Sequence, residues 1–319
     1  MAPSIREIGE NFKKTKGFNG RILFDENLSL HTSMKVGGKA ALFVEPSDEA
    51  SLLKAVETAV SEKIPYYILG GGSNLIFADS GFKGMILSLT SLNKICIENG
   101  KIVTGAGVNT CDLADFAAQK GIAGLTNFAG LPGTAGGACY MNARCYDKSF
   151  SEVIESVRYL DMDKICKKNN STIEESAFQV YHIKEEDWSY KHSPFMEKKC
   201  IILSVTLREL PAGDSKLLME ENQGYIQNRK DKGHFTAPSA GSVFKNNRSF
   251  GKPSGVLIDE CGLKSMKNGG AQVAPWHGNI IINTGNATAS DIAGLVKTVQ
   301  DAVFKKTGFK LENEIIFVN

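Results

Sequence analysis

The sequence predicts a fold of mixed α-helices and β-strands, and three observations lead to this prediction. A strand, a helix and a second strand follow one another early in the chain, an amphipathic helix lies near its end, and a strand pattern closes it. The composition is 42% hydrophobic, which is ordinary for a globular protein, and 319 residues are enough for two or three domains. We therefore expect an α+β protein with more than one domain.

The first elements lie between residues 41 and 69. Residues 41–44 form a predicted strand, and Pro46 with Ser47 opens a helix that has one apolar face. The residues of that face are Leu52, Val56, Ala59 and Val60. Residues 66–69 form the next strand, so the order is that of a βαβ unit.

A glycine-rich turn leaves this second strand, and it consists of Gly70, Gly71, Gly72, Ser73 and Asn74. Successive glycines allow positive φ and let backbone N–H groups approach an anion, here beside a hydroxyl and an amide. The turn predicts a phosphate cradle, although a tight surface turn needs nothing more than these residues. No Gly-Lys-Ser/Thr sequence follows, which disfavours a nucleoside triphosphatase.

The middle of the chain continues with short strands and one helix. Strands are predicted around residues 84–89, 94–97 and 102–104, and Thr110 is the predicted N-cap of a helix that runs to about Lys120. A second glycine-dense segment occupies residues 128–142. So many small residues predict that the backbone closely approaches a bulky ligand.

The remaining elements complete the α+β pattern. Paired strands are predicted at 153–161 and 200–210 with an exposed polar stretch at about 164–176, and a domain boundary at 211–214. Further predictions are a helix at 215–230, a short helix at 255–262, a strand within 273–283 and an alternating strand at 312–318. Thr288 and Asp291 predict a capping box for the last helix, whose apolar stripe is Ile292, Leu295, Val296, Val299 and Val303.

Charge and cysteine content exclude several classes of protein. With 37 Lys and Arg against 35 Asp and Glu, the net charge of +2 gives no field of the kind that nucleic-acid binding needs. Seven cysteines form no Cys-x-x-Cys pair, and five histidines show no paired-ligand spacing, so we expect reduced thiols and no metal site. No long apolar run or leader pattern occurs, which predicts a soluble cytoplasmic protein that does not bind membranes.

Six motifs together resemble the UDP-N-acetylenolpyruvoylglucosamine reductase family. They are TSMKVGG (32–38), LGGGSNL (69–75), GLPGTAGGACYMN (130–142), AGSVFKN (240–246), GGAQV (269–273) and LENE (311–314). The match extends from about residue 24 to residue 318. The compact stretch from 242 to 314 resembles the shorter form of the family.

The resemblance implies a fold and a domain arrangement. Residues 1–211 would form an FAD-binding region of the vanillyl-alcohol-oxidase-like (PCMH) type, with two α+β subdomains at about 24–90 and 91–211. Residues 212–319 would form an α+β substrate-binding domain whose last strand returns to the active site. FAD would be bound non-covalently, NADPH would be the reductant, and UDP-N-acetylglucosamine enolpyruvate would be reduced to UDP-N-acetylmuramate for peptidoglycan synthesis. We expect a monomer or weak oligomer.

The resemblance also implies three catalytic residues. Ser242 matches the family's proton donor, although a serine in a Gly-Ser turn often bonds its own backbone. Glu314 matches the catalytic glutamate, and Glu312 would share its strand face unless it lies at a solvated strand end. Lys191 stands in a Tyr-Lys-His-Ser sequence where the family has arginine, so it keeps the charge but lacks the planar guanidinium. One hypothesis is that Arg144 supplies the missing guanidinium, and the alternative is an arginine on a solvated loop.

Cofactor and substrate positions are carried over in the same way. The cofactor-binding residues would be Gly70, Gly71, Gly72, Ser73 and Asn74 on one wall and Gly133, Thr134, Gly136 and Gly137 on the facing wall. The substrate-binding residues would be Tyr190, Lys230, Asn246 and His277. Two alternatives stay open: an oxygen-using flavin oxidase of the same fold, and a sugar-nucleotide-binding homologue without catalytic activity.

Overall fold

The computed structural model describes residues 3–166 and 173–319, so part of the predicted polar stretch at 164–176 lies outside the described residues. The helices are α1 (Ile5–Lys13), α2 (Glu49–Ser61), α3 (Thr110–Gln119), α4 (Ala135–Tyr140), α5 (Met162–Cys166), α6 (Ser215–Asp231), α7 (Ser254–Glu260) and α8 (Ala289–Thr307). The strands up to residue 153 are β1 (Gly20–Asn27), β2 (Lys39–Pro46), β3 (Tyr66–Leu69), β4 (Leu75–Phe77), β5 (Phe82–Ser88), β6 (Ile95–Glu98), β7 (Lys101–Gly105), β8 (Arg144–Cys145) and β9 (Lys148–Ser149). The later strands are β10 (Ile154–Asp161), β11 (Phe178–His182), β12 (Cys200–Leu207), β13 (Ser239–Ser242), β14 (Lys267–Asn268), β15 (Ala271–Val273), β16 (Ile280–Asn283) and β17 (Ile316–Val318).

The chain divides into two compact units, each built from several segments. The first unit contains Met1–Glu26, Ala41–Gly71 and Lys83–Gln227, and the second contains Asn27–Ala40, Gly72–Phe82 and Asn228–Asn319. The division therefore falls within the glycine-rich turn, between Gly71 and Gly72, and again within α6.

The first unit has two main sheets. One has the strand order β1-β2-β5-β3, with β3 and β5 parallel, and the other is the antiparallel sheet β11-β10-β12-β7-β6. The predicted pairing of strands at 153–161 and 200–210 is confirmed, because β10 pairs with β12. One hydrophobic core joins these sheets to α2, α3 and α4.

The second unit is built around the sheet β13-β16-β15-β14 and helix α8. The stripe predicted on α8 is confirmed as core: Ile292, Leu295, Val296, Val299 and Val303 are all buried. The strand predicted within 273–283 is confirmed as β16, and β15 ends at Val273, where that range begins.

Helix starts follow their capping residues. Thr288 and Asp291 form the predicted capping box of α8. The prediction that Thr110 caps α3 is wrong, because Asn109 is the N-cap and its side chain accepts a hydrogen bond from Cys111 N at 2.8 Å. Thr110 lies one residue inside the helix, and its hydroxyl donates to the carbonyl of Leu131.

The closing strand is shorter than predicted. Strand β17 begins at Ile316, where it pairs in parallel with β4, and residues 312–315 lie outside it. The expectation that Glu312 and Glu314 share one strand face is therefore wrong, since neither residue is in the strand.

No helix among the described residues is long and apolar enough to cross a membrane.

Candidate active site

The glycine-rich turn lies directly against the start of α4 in the first unit. A Cβ added to Gly70 would come within 2.7 Å of Thr134 Oγ1, and one added to Gly71 would come within 2.7 Å of Gly133 Cα. These distances are too short for any side chain. The two predicted walls therefore meet through residues that must stay small at 70 and 71.

Position 72 requires glycine because of its backbone conformation and its close neighbours. Its φ is +62°, and an added Cβ would lie 2.0 Å from the carbonyl oxygen of His31. Its own carbonyl accepts a hydrogen bond from Ser33 N at 3.1 Å, while the N–H groups of Gly71 and Gly72 donate to no acceptor in the part of the chain that the structure describes. Two neighbouring backbone donors in a glycine turn are suited to bind an anion such as a pyrophosphate.

Gly136 and Gly137 differ from the other glycines of this region. Gly136 N donates to Ala106 O at 2.9 Å, and a Cβ at Gly136 would lie 2.7 Å from the Cβ of Ala106. Gly137 N donates to Thr134 Oγ1 at 3.3 Å. Both N–H groups are thus used within the protein, and Gly136 is needed for packing of α4 on the residue after β7. Cofactor binding by these two glycines stays a prediction.

Two half-buried tyrosines in the first unit, Tyr67 and Tyr140, were missed by the sequence reasoning. Burial, with a smaller contribution from the nearby Tyr140, raises the pKa of Tyr67 to about 12. Burial also raises the pKa of Tyr140. Both phenols therefore stay neutral at physiological pH. Tyr67 lies on β3 and Tyr140 at the end of α4, and no sequence pattern distinguishes them from core residues.

Tyr190 and Lys191 form the tip of a tight turn. Ser189 N donates to His192 O at 3.3 Å and His192 N donates to Ser189 O at 3.1 Å, which closes the turn. Tyr190 is 44% exposed, and Lys191 has a φ of +58°. The left-handed conformation costs an L-residue about 1 kcal/mol, so the surrounding hydrogen bonds must hold it.

Arg144 is engaged within its own hairpin. Its guanidinium donates to Asp147 Oδ1 at 3.1 Å and to Ser149 Oγ at 3.3 Å. The side chain is 32% exposed. This arrangement favours the solvated-loop interpretation over the hypothesis that Arg144 replaces the family arginine.

Ser242 ends β13 on the sheet of the second unit. The residue is exposed, and its hydroxyl makes no hydrogen bond with any residue that the structure describes. Gly241, which precedes it, has a φ of +71° with open space around the position of a Cβ. The geometry therefore argues against a serine that only stabilises its own turn and leaves the Oγ–H available to a ligand.

Glu314 is held beside Ser242 by main-chain hydrogen bonds. Glu314 N donates to the carbonyl of Val243, the residue after Ser242, at 2.8 Å. On the other side, Asn74 Nδ2 donates to Glu314 O at 2.9 Å and Asn74 O accepts from Ile316 N at 3.0 Å. The amide of Asn74 thus anchors the segment that carries Glu314, and cofactor binding by Asn74 stays a prediction.

Asn279 fixes the backbone next to Ser242 and was also missed. Its side chain accepts from Phe244 N at 2.9 Å and donates to Phe244 O at 2.8 Å, while its carbonyl accepts from Val243 N at 2.9 Å. Asn279 is 4% exposed. Nothing in the sequence could have indicated this residue, because its partner lies 35 positions away.

Glu312 has a structural environment unlike that of Glu314. Its carboxylate forms an ion pair with Lys245 at 2.5 Å, and its side chain is 71% exposed. The solvated-end interpretation therefore fits Glu312.

Asn246 makes a hydrogen bond within the second unit. Its Oδ1 accepts from Ser254 N at 2.9 Å, at the start of α7.

Positive charge gathers where α6 ends in the second unit. Arg229 and Lys230 lie in the last turn of this helix, where Lys230 is exposed, and Lys232 follows after Asp231, so positive charges outnumber the one negative charge. Burial, with smaller contributions from Arg229, His277 and Lys232, lowers the pKa of His234 to about 4. The cluster would attract an anionic ligand.

His277 has one ring nitrogen available. Its Nδ1 accepts a hydrogen bond from Asn279 N at 3.1 Å. Desolvation and the charge of Lys264 lower its pKa, so the imidazole is neutral at physiological pH and Nε2 carries the proton. A neutral Nε2–H can donate a hydrogen bond to a ligand, and the structure gives no sign of a proton-transfer role.

Comparison with known proteins agrees with these features. The family described as UDP-N-acetylenolpyruvoylglucosamine reductase, C-terminal domain, matches residues 233–318, and the family described as FAD binding domain matches residues 40–164. The reductase of this name from Treponema denticola is 44% identical over 312 residues, covering 93% of this chain and 94% of that protein. The corresponding protein of Treponema pallidum is 39% identical over 324 residues, covering 91% of each.

A solved structure extends the similarity to the fold. The crystal structure of MurB from Thermus caldophilus is 28% identical, has a TM-score of 0.73 and covers 95% of this chain and 100% of that one. The fold and site thus define an FAD-dependent oxidoreductase. It has an FAD-binding domain of the PCMH type, followed by the C-terminal domain that is characteristic of this reductase family. The chain belongs to the UDP-N-acetylenolpyruvoylglucosamine reductase (MurB) family, whose members serve peptidoglycan precursor synthesis. The predicted family, the α+β class and the FAD cofactor are confirmed.

Proposed function

We propose that this protein uses NADPH to reduce the enolpyruvyl group of UDP-N-acetylglucosamine enolpyruvate to UDP-N-acetylmuramate. Relatives that match more than nine-tenths of the chain carry the name of this reductase. The observation that carries the proposal is the contact of Glu314 N with Val243 O at 2.8 Å, next to a Ser242 hydroxyl that has no partner among the described residues. A proton donor and a carboxylate-bearing segment are thereby fixed side by side.

When held by the turn at residues 70–74, FAD would supply the hydride transfer from NADPH to the distal carbon of the enolpyruvyl double bond. Negative charge then develops at the carbon that bears the substrate carboxylate. Ser242 Oγ–H donates the proton to that carbon, because the carbanion is far more basic than an alkoxide. The exposed position of Ser242 at the end of β13 supports this role.

Lys191 and Tyr190 are proposed to act on the substrate. The Lys191 ammonium stabilises the developing enolate as a point charge, in place of the two parallel hydrogen bonds that an arginine can form. Because it is held at the tip of a hydrogen-bonded turn, its backbone needs no reorganisation during the reaction. Tyr190, exposed beside it, binds the substrate.

The substrate diphosphate is proposed to bind where positive charge gathers in the second unit. Lys230 supplies an exposed ammonium, His277 a neutral Nε2–H donor, and Asn246 an amide whose oxygen is already fixed by Ser254 N. Neutral and cationic donors together suit an anion. His277 contributes binding alone.

FAD is proposed to bind non-covalently through the turn at residues 70–74 and the segment at 133–137. The N–H groups of Gly71 and Gly72 are the best placed donors, because neither has an acceptor among the described residues. Ser73 and Asn74 lie beside them, with Gly133 and Thr134 in contact with Gly70 and Gly71.

We further propose that residues 1–211 form the FAD-binding region and residues 212–319 the substrate domain. The protein is proposed to be cytoplasmic and to be a monomer or a weak oligomer.

One experiment separates this function from its alternatives. The purified protein should be yellow, should bleach anaerobically with NADPH, and should recover its colour on addition of UDP-N-acetylglucosamine enolpyruvate. Rapid recovery with oxygen alone would indicate an oxidase. Bleaching without recovery by the substrate would indicate a non-catalytic homologue, and faster bleaching with NADH than with NADPH would contradict the proposed reductant.

The role of Ser242 is tested by replacing it with alanine. Ser242→Ala should leave flavin reduction by NADPH nearly intact and slow reoxidation by the substrate at least about 100-fold, the lower end for loss of a general acid. Ser80→Ala is the matched control, since Ser80 is also an exposed serine of the second unit. Equal slowing of both half-reactions in Ser242→Ala would contradict its role as proton donor.

A further inference from the structure

The turn that carries Tyr190 and Lys191 is anchored on both sides to the end of α4. On its first side, Asn142 Nδ2 donates to Ser189 O at 2.8 Å. On its second side, Ser193 Oγ donates to Tyr140 O at 2.6 Å. Ser189 lies one residue before Tyr190 and Ser193 lies two residues after Lys191, so the two anchors flank the tip closely on both sides.

The Asn142 side chain is locked in one orientation. Its Oδ1 accepts from Ser151 N at 3.1 Å while its Nδ2 donates to Ser189 O, so both ends of the amide have complementary partners. Its backbone N–H donates to Cys139 O at 3.1 Å, and its φ is +41°, a conformation that asparagine tolerates better than most residues. Asn142 is 3% exposed. A buried amide satisfied in this way is rigid.

The other end of α4, at Thr134, packs against Gly70 and Gly71, and we call these contacting residues, with Gly133, the glycine wall. Thr134, the N-cap of α4, is the residue that a Cβ at Gly70 would meet at 2.7 Å. Helix α4 has only 6 residues, so it offers little room for bending between the wall and the turn. The glycine wall, α4 and the Tyr190–Lys191 tip therefore form one connected set of contacts within the first unit.

We propose that Asn142 is a positioning residue, which holds the Tyr190–Lys191 tip at a fixed place relative to the glycine wall through its hydrogen bond to Ser189. This inference rests on the proposed function, because it assumes that Lys191 acts on the substrate. Asn142 itself touches no reacting atom. Its removal lets the strained turn relax, which displaces the Lys191 ammonium from the developing charge.

Asn142→Asp is the decisive variant. Aspartate keeps the acceptor for Ser151 N and tolerates the positive φ, but it replaces the donor to Ser189 O with a carboxylate oxygen. Asn99→Asp is the matched control, because Asn99 has a φ of +50° and is exposed in the turn between β6 and β7. The control thus makes the same chemical change at a similar backbone conformation.

Two measurements test the inference in the FAD-loaded enzyme. In Asn142→Asp, reoxidation of the reduced flavin by UDP-N-acetylglucosamine enolpyruvate should slow about 10-fold or more, while reduction by NADPH stays within about 2-fold. Amide hydrogen exchange in residues 186–195 should become faster. Asn99→Asp should change neither quantity. Ser193→Ala, which loses the second anchor, should show the same selective slowing and serves if Asn142→Asp does not bind FAD.

The inference is overturned if the two half-reactions slow equally, or if exchange in residues 186–195 matches that of Asn99→Asp. Failure of the proposed function is a different result. It would appear in the unmodified protein as flavin that the enolpyruvyl substrate does not reoxidise. The exchange measurement would then still decide whether Asn142 holds the turn.

Discussion

Replacing Asn279 with leucine tests how strongly the second unit depends on one buried amide. Asn279 serves both the N–H and the C=O of Phe244, and the two residues are 4% and 1% exposed. Leucine fills a similar volume but offers neither a donor nor an acceptor, so two buried backbone groups lose their partners. Each unsatisfied group costs about 1–3 kcal/mol, and losses above about 5 kcal/mol are exceptional for one substitution, so the free energy of unfolding should fall by about 2–5 kcal/mol.

The measurement is urea-induced unfolding followed by fluorescence in a Trp188→Phe background, where Trp276 remains and reports on the second unit. With a slope of about 2 kcal/mol per molar urea, the midpoint should fall by roughly 1–2.5 M. Asn286→Leu is the control, because Asn286 is exposed. A fall of less than about 0.5 kcal/mol, or an equal fall in the control, would refute the reasoning.

Three further predictions follow from local geometry. Gly72→Ala should lower the thermal midpoint and FAD affinity together, because the added Cβ meets His31 O at 2.0 Å, and unchanged FAD affinity would contradict this. Stability should fall as pH drops from about 6.5 to 4, because burial lowers the pKa of His234 to about 4 and only the unfolded chain binds the proton in that range. His234→Gln should flatten this pH dependence of unfolding by roughly 1–2 kcal/mol after allowance for solvent screening, and an unchanged slope would exclude His234 as its source. Thr288→Ala should cost about 1 kcal/mol in urea unfolding by removing the N-cap of α8, whereas Thr298→Ala on the same helix should cost little, and equal losses would contradict the capping argument.

Local signals in the sequence predicted the elements that depend on neighbouring residues. The capping box and apolar stripe of α8 are such signals, and both are present in the structure. The strand predicted at 312–318 was too long because residues 312–314 meet residues 243–245 as an isolated bridge between Phe244 and Asn313, which no alternation of side chains reveals. The predicted cap at Thr110 was wrong by one residue, since Asn109 is an equally good capping residue.

The site residues divide in the same way. The glycine turn at 70–72 was found because positive φ and close approach demand glycine, which the sequence shows directly. Asn142 was not recognised as a separate site residue, because its partner Ser189 lies 47 positions further along the chain. At Gly136 the sequence suggested a ligand where packing is also a sufficient explanation. A Cβ at this position would collide with Ala106, so glycine is needed there whether or not a ligand is close.

The main-chain anchoring of Glu314 separates the position of its backbone from the chemistry of its side chain. Val243 O accepts a hydrogen bond from Glu314 N, and Asn74 Nδ2 donates one to Glu314 O. Neither bond uses a side-chain atom of Glu314, so both remain possible when the side chain is exchanged for glutamine. A Glu314→Gln enzyme would therefore keep these two main-chain anchors while it loses the negative charge of the carboxylate.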